Sequence, residues 1–283
     1  MSLSRSTAAS APLPYAVIVT TLRAAGCVFA EDEAELILQT ATTAEQLAAM
    51  VEQRVQGLPL EHVLGWASFH GLRISVGPGV FVPRRRTEFL VDVATTLTSP
   101  GALVVDLCCG AGALGAALAA AVAAAVAAAD PAAVGGTDLH AVDLHATDID
   151  PAAVASARRN IPPAVGAVYQ GDLFDPLPTA LRGRIDTLLA NVPYVPTDAI
   201  ELLPAEARVH EARVALDGGA DGLDVLRRVA AAAPQWLAPG GHLLFETSER
   251  QVPHAVDVVT RAGLRADVRT DDELDATVVV AAH

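Results

Sequence analysis

Two kinds of apolar pattern divide the chain. Between Leu13 and Gly57 the apolar residues recur at helical spacing in three blocks. The first, 13–26, ends in glycine, as helices commonly do. The second, 31–41, opens with Glu31, Asp32 and Glu33, where a helix dipole favours acids. The third, 42–57, opens on threonines of capping type and stops at Gly57. Residues 1–12 read as a loose tail. These blocks predict a small all-helical unit, 1–58, whose second and third helices are joined almost directly at Thr40–Thr42. Residues 59–83 instead alternate apolar and polar positions and carry several glycines, which predicts a β-hairpin linker.

From Leu103 onward the pattern becomes strand, loop, helix, repeated. The apolar run 102–109 reads as a buried parallel strand, and 144–149, 164–174, 184–191 and 242–248 read as further strands. Helical stretches at 112–129, 151–160, 222–241 and 251–263 separate them, and two closing strands follow. Such alternation predicts an α/β domain, 84–283, with a mostly parallel sheet of seven strands and helices on both faces. The alanine-rich stretch 116–139 reads as an extended helix plus a loop insertion.

Composition narrows the class. With 283 residues, 52% hydrophobic and 18% charged, the chain can bury a large core and disorder is not expected. The formal net charge is −14, and all 19 basic residues are arginine. Nucleic-acid binding draws on a basic face, and the densest cluster here is Arg84-Arg85-Arg86, so the charge argues against a nucleic-acid partner. Cys27, Cys108 and Cys109 fit neither a disulfide framework nor a zinc site, which points to a reducing cytoplasm. His140 and His145 flank Asp143, but their odd spacing puts them on opposite strand faces, so no metal site is expected. Near the N-terminus, prolines and Arg23 interrupt the apolar patch, which argues against a signal peptide. The stretch 112–129 is uncharged, yet alanine is too weakly apolar to make it a membrane span.

Four constellations carry candidate chemistry. In 104–115 a strand ends in Asp106, followed by Gly110 and Gly112 at a strand-to-helix turn. Glycines there let a ligand approach the backbone, and the helix N-terminus offers free N–H groups. The spacing Gly110, Gly112, Gly115 also matches a dinucleotide fingerprint, so this loop alone leaves a dinucleotide or S-adenosylmethionine open. Asp148 closes the second strand, where an acid accepts bonds from ribose hydroxyls. Asp150 is placed to cap the next helix, and Asp143 is the alternative if the register slips. Asp172, after the third strand, can accept a bond from an adenine amino group. Finally, Asn191-Val192-Pro193-Tyr194 breaks the fourth strand where open α/β sheets place their ligands.

This order of motifs resembles the class I methyltransferases that modify a planar nitrogen, whose tetrapeptide is Asn-Pro-Pro-Tyr. Residues 57–91, with Pro83-Arg84-Arg85-Arg86-Thr87-Glu88 where the family has Pro-Arg-Pro-x-Thr-Glu, and residues 203–246 are similar to the protein-(glutamine-N5) methyltransferases that modify peptide-chain release factors. The likeness spans about residues 55 to 283. The chain departs from the family at Val192, the tetrapeptide's first proline, and in its short helical unit, the part with which the family engages its protein substrate.

The resemblance implies a Rossmann-like methyltransferase fold and S-adenosyl-L-methionine as cofactor. Its implied binding residues are Asp106, Cys108, Gly110, Gly112, Asp148, Ile149, Asp172, Leu173 and Asn191. It implies Asn191, Val192, Pro193 and Tyr194 as the catalytic and substrate-binding residues. The Asn191 side chain and the Val192 carbonyl are expected to accept the two amide hydrogens, with Tyr194 as a stacking face. Thr87 and Glu88 are expected to order the loop over the cofactor, and Glu246 to be structural. A release factor is the expected protein substrate and a single chain the expected working unit, with no membrane partner. A nucleic-acid amino-methyltransferase is the competing enzyme reading, because such enzymes accept an aliphatic residue at position 192. A non-catalytic cofactor-binding scaffold is the third.

Overall fold

The computed structural model describes residues 13–129 and 141–283. Three helices come first: α1 (Tyr15–Ala24), α2 (Ala30–Thr40) and α3 (Ala44–Val55). The start of α3 is fixed by a reciprocal cap. Thr43 accepts from the Gln46 amide at 3.1 Å, and the Gln46 side chain accepts from the Thr42 N–H at 2.8 Å. Ile18, Leu22, Ile37, Leu47 and Met50 form the core of this unit.

The linker departs from a plain hairpin. A short helix, α4 (Leu60–Leu64), precedes β1 (Trp66–Phe69) and β2 (Leu72–Ser75). Pro59 sets its start and Gly65, left-handed at φ 78°, stops it. Next comes α5 (Glu88–Leu97), a helix that the apolar pattern does not single out.

The α/β region follows the predicted alternation: β3 (Ala102–Leu107), α6 (Ala113–Ala129), β4 (Val142–Asp148), α7 (Pro151–Asn160), β5 (Gly166–Gln170) and β6 (Ile185–Ala190). It continues through α8 (Ala205–His210), α9 (Asp224–Trp236), β7 (Leu237–Glu246), α10 (Val252–Arg261), β8 (Arg265–Asp271) and β9 (Ala276–Ala282). The loop insertion expected after α6 and His140 lie outside the described residues. The glycines at 240–241 do not stop α9. That helix ends at Trp236, which is buried against Phe174 with ring centroids 5.2 Å apart, and the chain enters β7 at once, bending at Gly240.

The sheet order is β5-β4-β3-β6-β7-β9-β8. All pairs are parallel except β7–β9 and β8–β9. β3 is buried at every position, because both of its faces are covered. Helices α5, α6 and α7 pack on one face, with Val104, Leu144 and Leu189. Helices α9 and α10 pack on the other, with Val105, Leu188 and Phe245. Strand order reverses between β3 and β6, and the carboxyl ends of these two strands open a crevice. Among the described residues no helix is long and apolar enough to cross a membrane.

Candidate active site

The crevice is a cavity of about 680 Å³, lined from four strand ends: Cys108–Ala111 after β3, Asp148–Asp150 after β4, Asp172 and Leu173 after β5, and Asn191–Val195 after β6. Of the sequence-predicted site residues, Cys108, Gly110, Asp148, Ile149, Asp172, Leu173, Asn191, Val192, Pro193 and Tyr194 all line it. Gly112 sits just behind the loop, at φ 76°, where an added Cβ would lie 2.9 Å from the Ile161 side chain. It is what lets α6 start so close to α7.

The structure does not bring Asp106 into the cavity. On β3 it shares a side with Val104, so its carboxylate points beneath the loop toward α6 and accepts from the Gly115 N–H at 2.9 Å. Asp106 is fully buried, and its second oxygen finds no partner among the described residues. Burial pushes its carboxyl up to about 7, against the pull of the Gly115 hydrogen bond.

Asp148 works on the loop from the other side. One oxygen accepts from Gly110 N–H at 2.8 Å and the other from Asp150 N–H at 2.9 Å. Each oxygen keeps a second lone pair for a ligand. Burial still pushes this carboxyl up, with those two bonds opposing it. Asp150 caps α7 by accepting from Ala152 N–H at 2.8 Å. Asp172 accepts from Arg228 of α9 at 2.6 Å, and both line the cavity.

Neither Cys108 nor Cys109 is built as a nucleophile. Burial and the neighbouring acids push both thiols up, away from the thiolate form. On the far side of β4, His145 pairs with Asp143 at 3.2 Å and with the Tyr169 hydroxyl at 3.1 Å. Among the described residues no cluster of three metal-ligating side chains occurs.

The β6 edge is different. The Asn191 Oδ1 is buried and finds no hydrogen-bond partner among the described residues. An amide oxygen left in that state costs free energy unless a ligand satisfies it. Val192 follows, past the last β6–β7 pair of Leu189 with Leu244. It is only 2% exposed and belongs to the core cluster that includes Leu107 and Leu188, so the side chain at this position is used for packing. Tyr194 is held at its backbone by Gln251, whose side chain donates to the Tyr194 carbonyl at 2.9 Å. Gly222 presses on the same carbonyl, and a Cβ there would come within 2.2 Å of it.

Two ion pairs that the sequence pattern did not connect roof the crevice. One guanidinium nitrogen of Arg84 donates to both oxygens of buried Glu211, at 2.6 and 2.7 Å, tying the segment after the linker to the end of α8. Burial pushes the Glu211 carboxyl up even so. Arg86 reaches Glu246 at the end of β7 at 2.8 Å, and Thr87 donates to the same carboxylate at 2.5 Å. Glu88 accepts from the His70 N–H at 2.9 Å, which anchors the hairpin rather than the crevice. Only the density of arginines at 84–86 hinted at this roof, since the partners lie 127 and 160 residues away.

No family model matches the chain. It is 38% identical over 229 residues to the release factor glutamine methyltransferase of Gloeobacter violaceus, covering 80% of this chain and 74% of that protein. The protein of the same name from Geobacter sulfurreducens is 36% identical, over 77% of this chain and 72% of its own length. A solved methyltransferase from Pyrococcus furiosus, 16% identical, superposes with a TM-score of 0.50 over 75% of this chain and 88% of its own, which shows the shared Rossmann-like fold. With its strand order, its crevice at the point of reversal and relatives of this similarity, the chain belongs to the release factor glutamine methyltransferase family.

Proposed function

We propose that this protein is an S-adenosyl-L-methionine-dependent methyltransferase acting on the N5 nitrogen of a glutamine side chain in a peptide-chain release factor. The observation that carries the reading is the position of Asn191 at the end of β6 in the wall of the crevice, with its Oδ1 unpaired among the described residues. The relatives' shared name supports the substrate.

The residues present fit that cofactor. Asp148 offers free lone pairs to ribose hydroxyls, and Asp172 can accept from the adenine amino group while keeping Arg228. Ile149 and Leu173 give apolar surface beside those acids, and the loop from Cys108 to Gly112 admits close approach. When bound, the cofactor supplies an electrophilic methyl group on a sulfonium.

An amide nitrogen is a poor nucleophile because its lone pair is delocalised into the carbonyl. In this reading Asn191 Oδ1 accepts one amide hydrogen and the Val192 carbonyl accepts the other. Two acceptors aimed this way hold the nitrogen in line and favour its pyramidal form. Tyr194 supplies a flat face beneath the amide. Burial pushes the Tyr194 hydroxyl up to about 12, so it stays protonated and is not the base. Positioning then supplies most of the rate gain, on the scale of effective molarities of about 10⁵–10⁸ M. The helical unit, 1–58, is assigned to recognition of the protein substrate, with the hairpin linker at 59–83 and the methyltransferase domain at 84–283. The protein acts as a single chain in the cytoplasm, where its three thiols stay reduced.

The test is labelled-methyl transfer to purified release factors, ribosomal proteins and RNA side by side. Label is expected in a release factor. Label confined to RNA overturns the reading in favour of nucleic-acid amino methylation, a substrate that the net charge of −14 disfavours.

A further inference from the structure

We propose that Glu246, with Arg86 as its arm, is a positioning residue for methyl transfer that acts through the hydroxyl of Tyr194. The inference rests on the amide reading above. Glu246 is 4% exposed and does not line the crevice, so it acts on a substrate only through a neighbour. Its carboxylate collects three donors: Arg86 Nε at 2.8 Å, Thr87 Oγ1 at 2.5 Å and the Tyr194 hydroxyl at 3.3 Å. Arg86 also donates a second guanidinium N–H to the Tyr194 oxygen. That oxygen therefore gives one hydrogen bond and receives another, from partners locked to each other.

The consequence is a ring fixed at both ends. Gln251 holds the Tyr194 carbonyl, and the Arg86–Glu246 pair holds the hydroxyl. A side chain required only to stack could have been phenylalanine, with no polar tip to satisfy. Of the pair only Glu246 is buried, Arg86 being 44% exposed, so removing Arg86 or the phenol takes a donor from a buried carboxylate. The arrangement makes sense if the tilt of the ring matters. A stacked amide follows that tilt, and small misplacements of a reacting nitrogen cost rate steeply.

The experiment uses the full chain as wild type, Tyr194→Phe, Glu246→Gln and the double variant. It measures kcat, both KM values, affinity for S-adenosylhomocysteine and thermal midpoint. Each single change is expected to lower kcat about tenfold, the scale of one charge-assisted hydrogen bond, with cofactor affinity unchanged. The double variant is expected to be no slower than the slower single one, because the two groups work as a unit. Multiplying losses overturn the proposal, and so does a Glu246→Gln variant that melts lower yet turns over normally. If Glu246→Gln does not fold, a Tyr194→Phe variant with wild-type kcat overturns it alone. A second readout needs no activity. In a ring-labelled sample the Tyr194 NMR resonances are expected to shift and broaden in Glu246→Gln, and unchanged resonances contradict the clasp even if the release factor proves not to be the substrate.

Discussion

The two long walls of the crevice are built on opposite principles. On the β3–β4 side the acids that line the crevice are already bonded to the protein: Asp148 to Gly110 and Asp150, and Asp150 to the start of α7. On the β6 side the decisive polar atom, Asn191 Oδ1, is buried without a partner. The first wall is a preformed cradle whose shape precedes any ligand. The second ends in an amide whose oxygen has no hydrogen-bond partner among the described residues. Under the proposed function the first wall binds and the second catalyses, since an interaction completed with the reacting group can strengthen as charge develops.

The sharpest way to break this contrast is Asn191→Ala. Turnover is expected to fall by about 10²-fold or more, the scale of losing one preorganised polar group, while titration calorimetry shows cofactor affinity unchanged. On the opposite wall, Asp148→Ala is expected to reverse the pattern. Cofactor affinity should drop by about tenfold to a hundredfold, as for lost hydrogen bonds to a charged group, with a smaller loss of turnover at saturating cofactor.

Asp106, beneath the cradle, adds a pH-dependent contrast. Its carboxyl is raised from the ordinary 3.8 to about 7, so the folded state holds a proton that the unfolded chain releases. The penalty for ionising it is absent below about 4, grows as pH rises and is complete above about 7. Asp106→Asn imitates the protonated form. Its thermal midpoint relative to wild type is therefore expected to climb between those two pH values and then level off. A difference that stays flat across that window contradicts the assignment.

The smallest effect is expected at Val192→Pro, where turnover should change a few-fold at most. Pro193 already biases residue 192 toward extended geometry, and the group expected to act is the backbone carbonyl. A large gain would show that the missing proline limits the enzyme.

Much of this was readable before any coordinates. The apolar run of β3 marked a strand covered on both faces, while β4 and β6 stood out by the strand-loop-helix alternation around them. The tetrapeptide announced itself because Asn191 and Pro193 end a strand that has no other reason to stop. Parity was the harder signal: Asp106 looked like a cofactor ligand, but strand alternation turns its side chain under the loop. The helix α5 was hidden by its own composition, since Val91, Val93, Thr95 and Thr96 favour strands locally while Leu90, Val91 and Ala94 bury its face. From sequence Glu246 reads as structural and Arg86 only as one of the clustered arginines 84–86. Their meeting at Tyr194 depends on three segments that only the folded sheet brings together.

The central claim concerns one atom, the amide nitrogen that Asn191 receives. Wild-type enzyme, labelled cofactor and a purified release factor, followed by peptide mapping of the labelled product, locate the methyl directly. Label is expected on a glutamine side-chain nitrogen, and is expected to vanish when Asn191 is alanine. A label on any other group, or on that glutamine at an undiminished rate without Asn191, contradicts the claim.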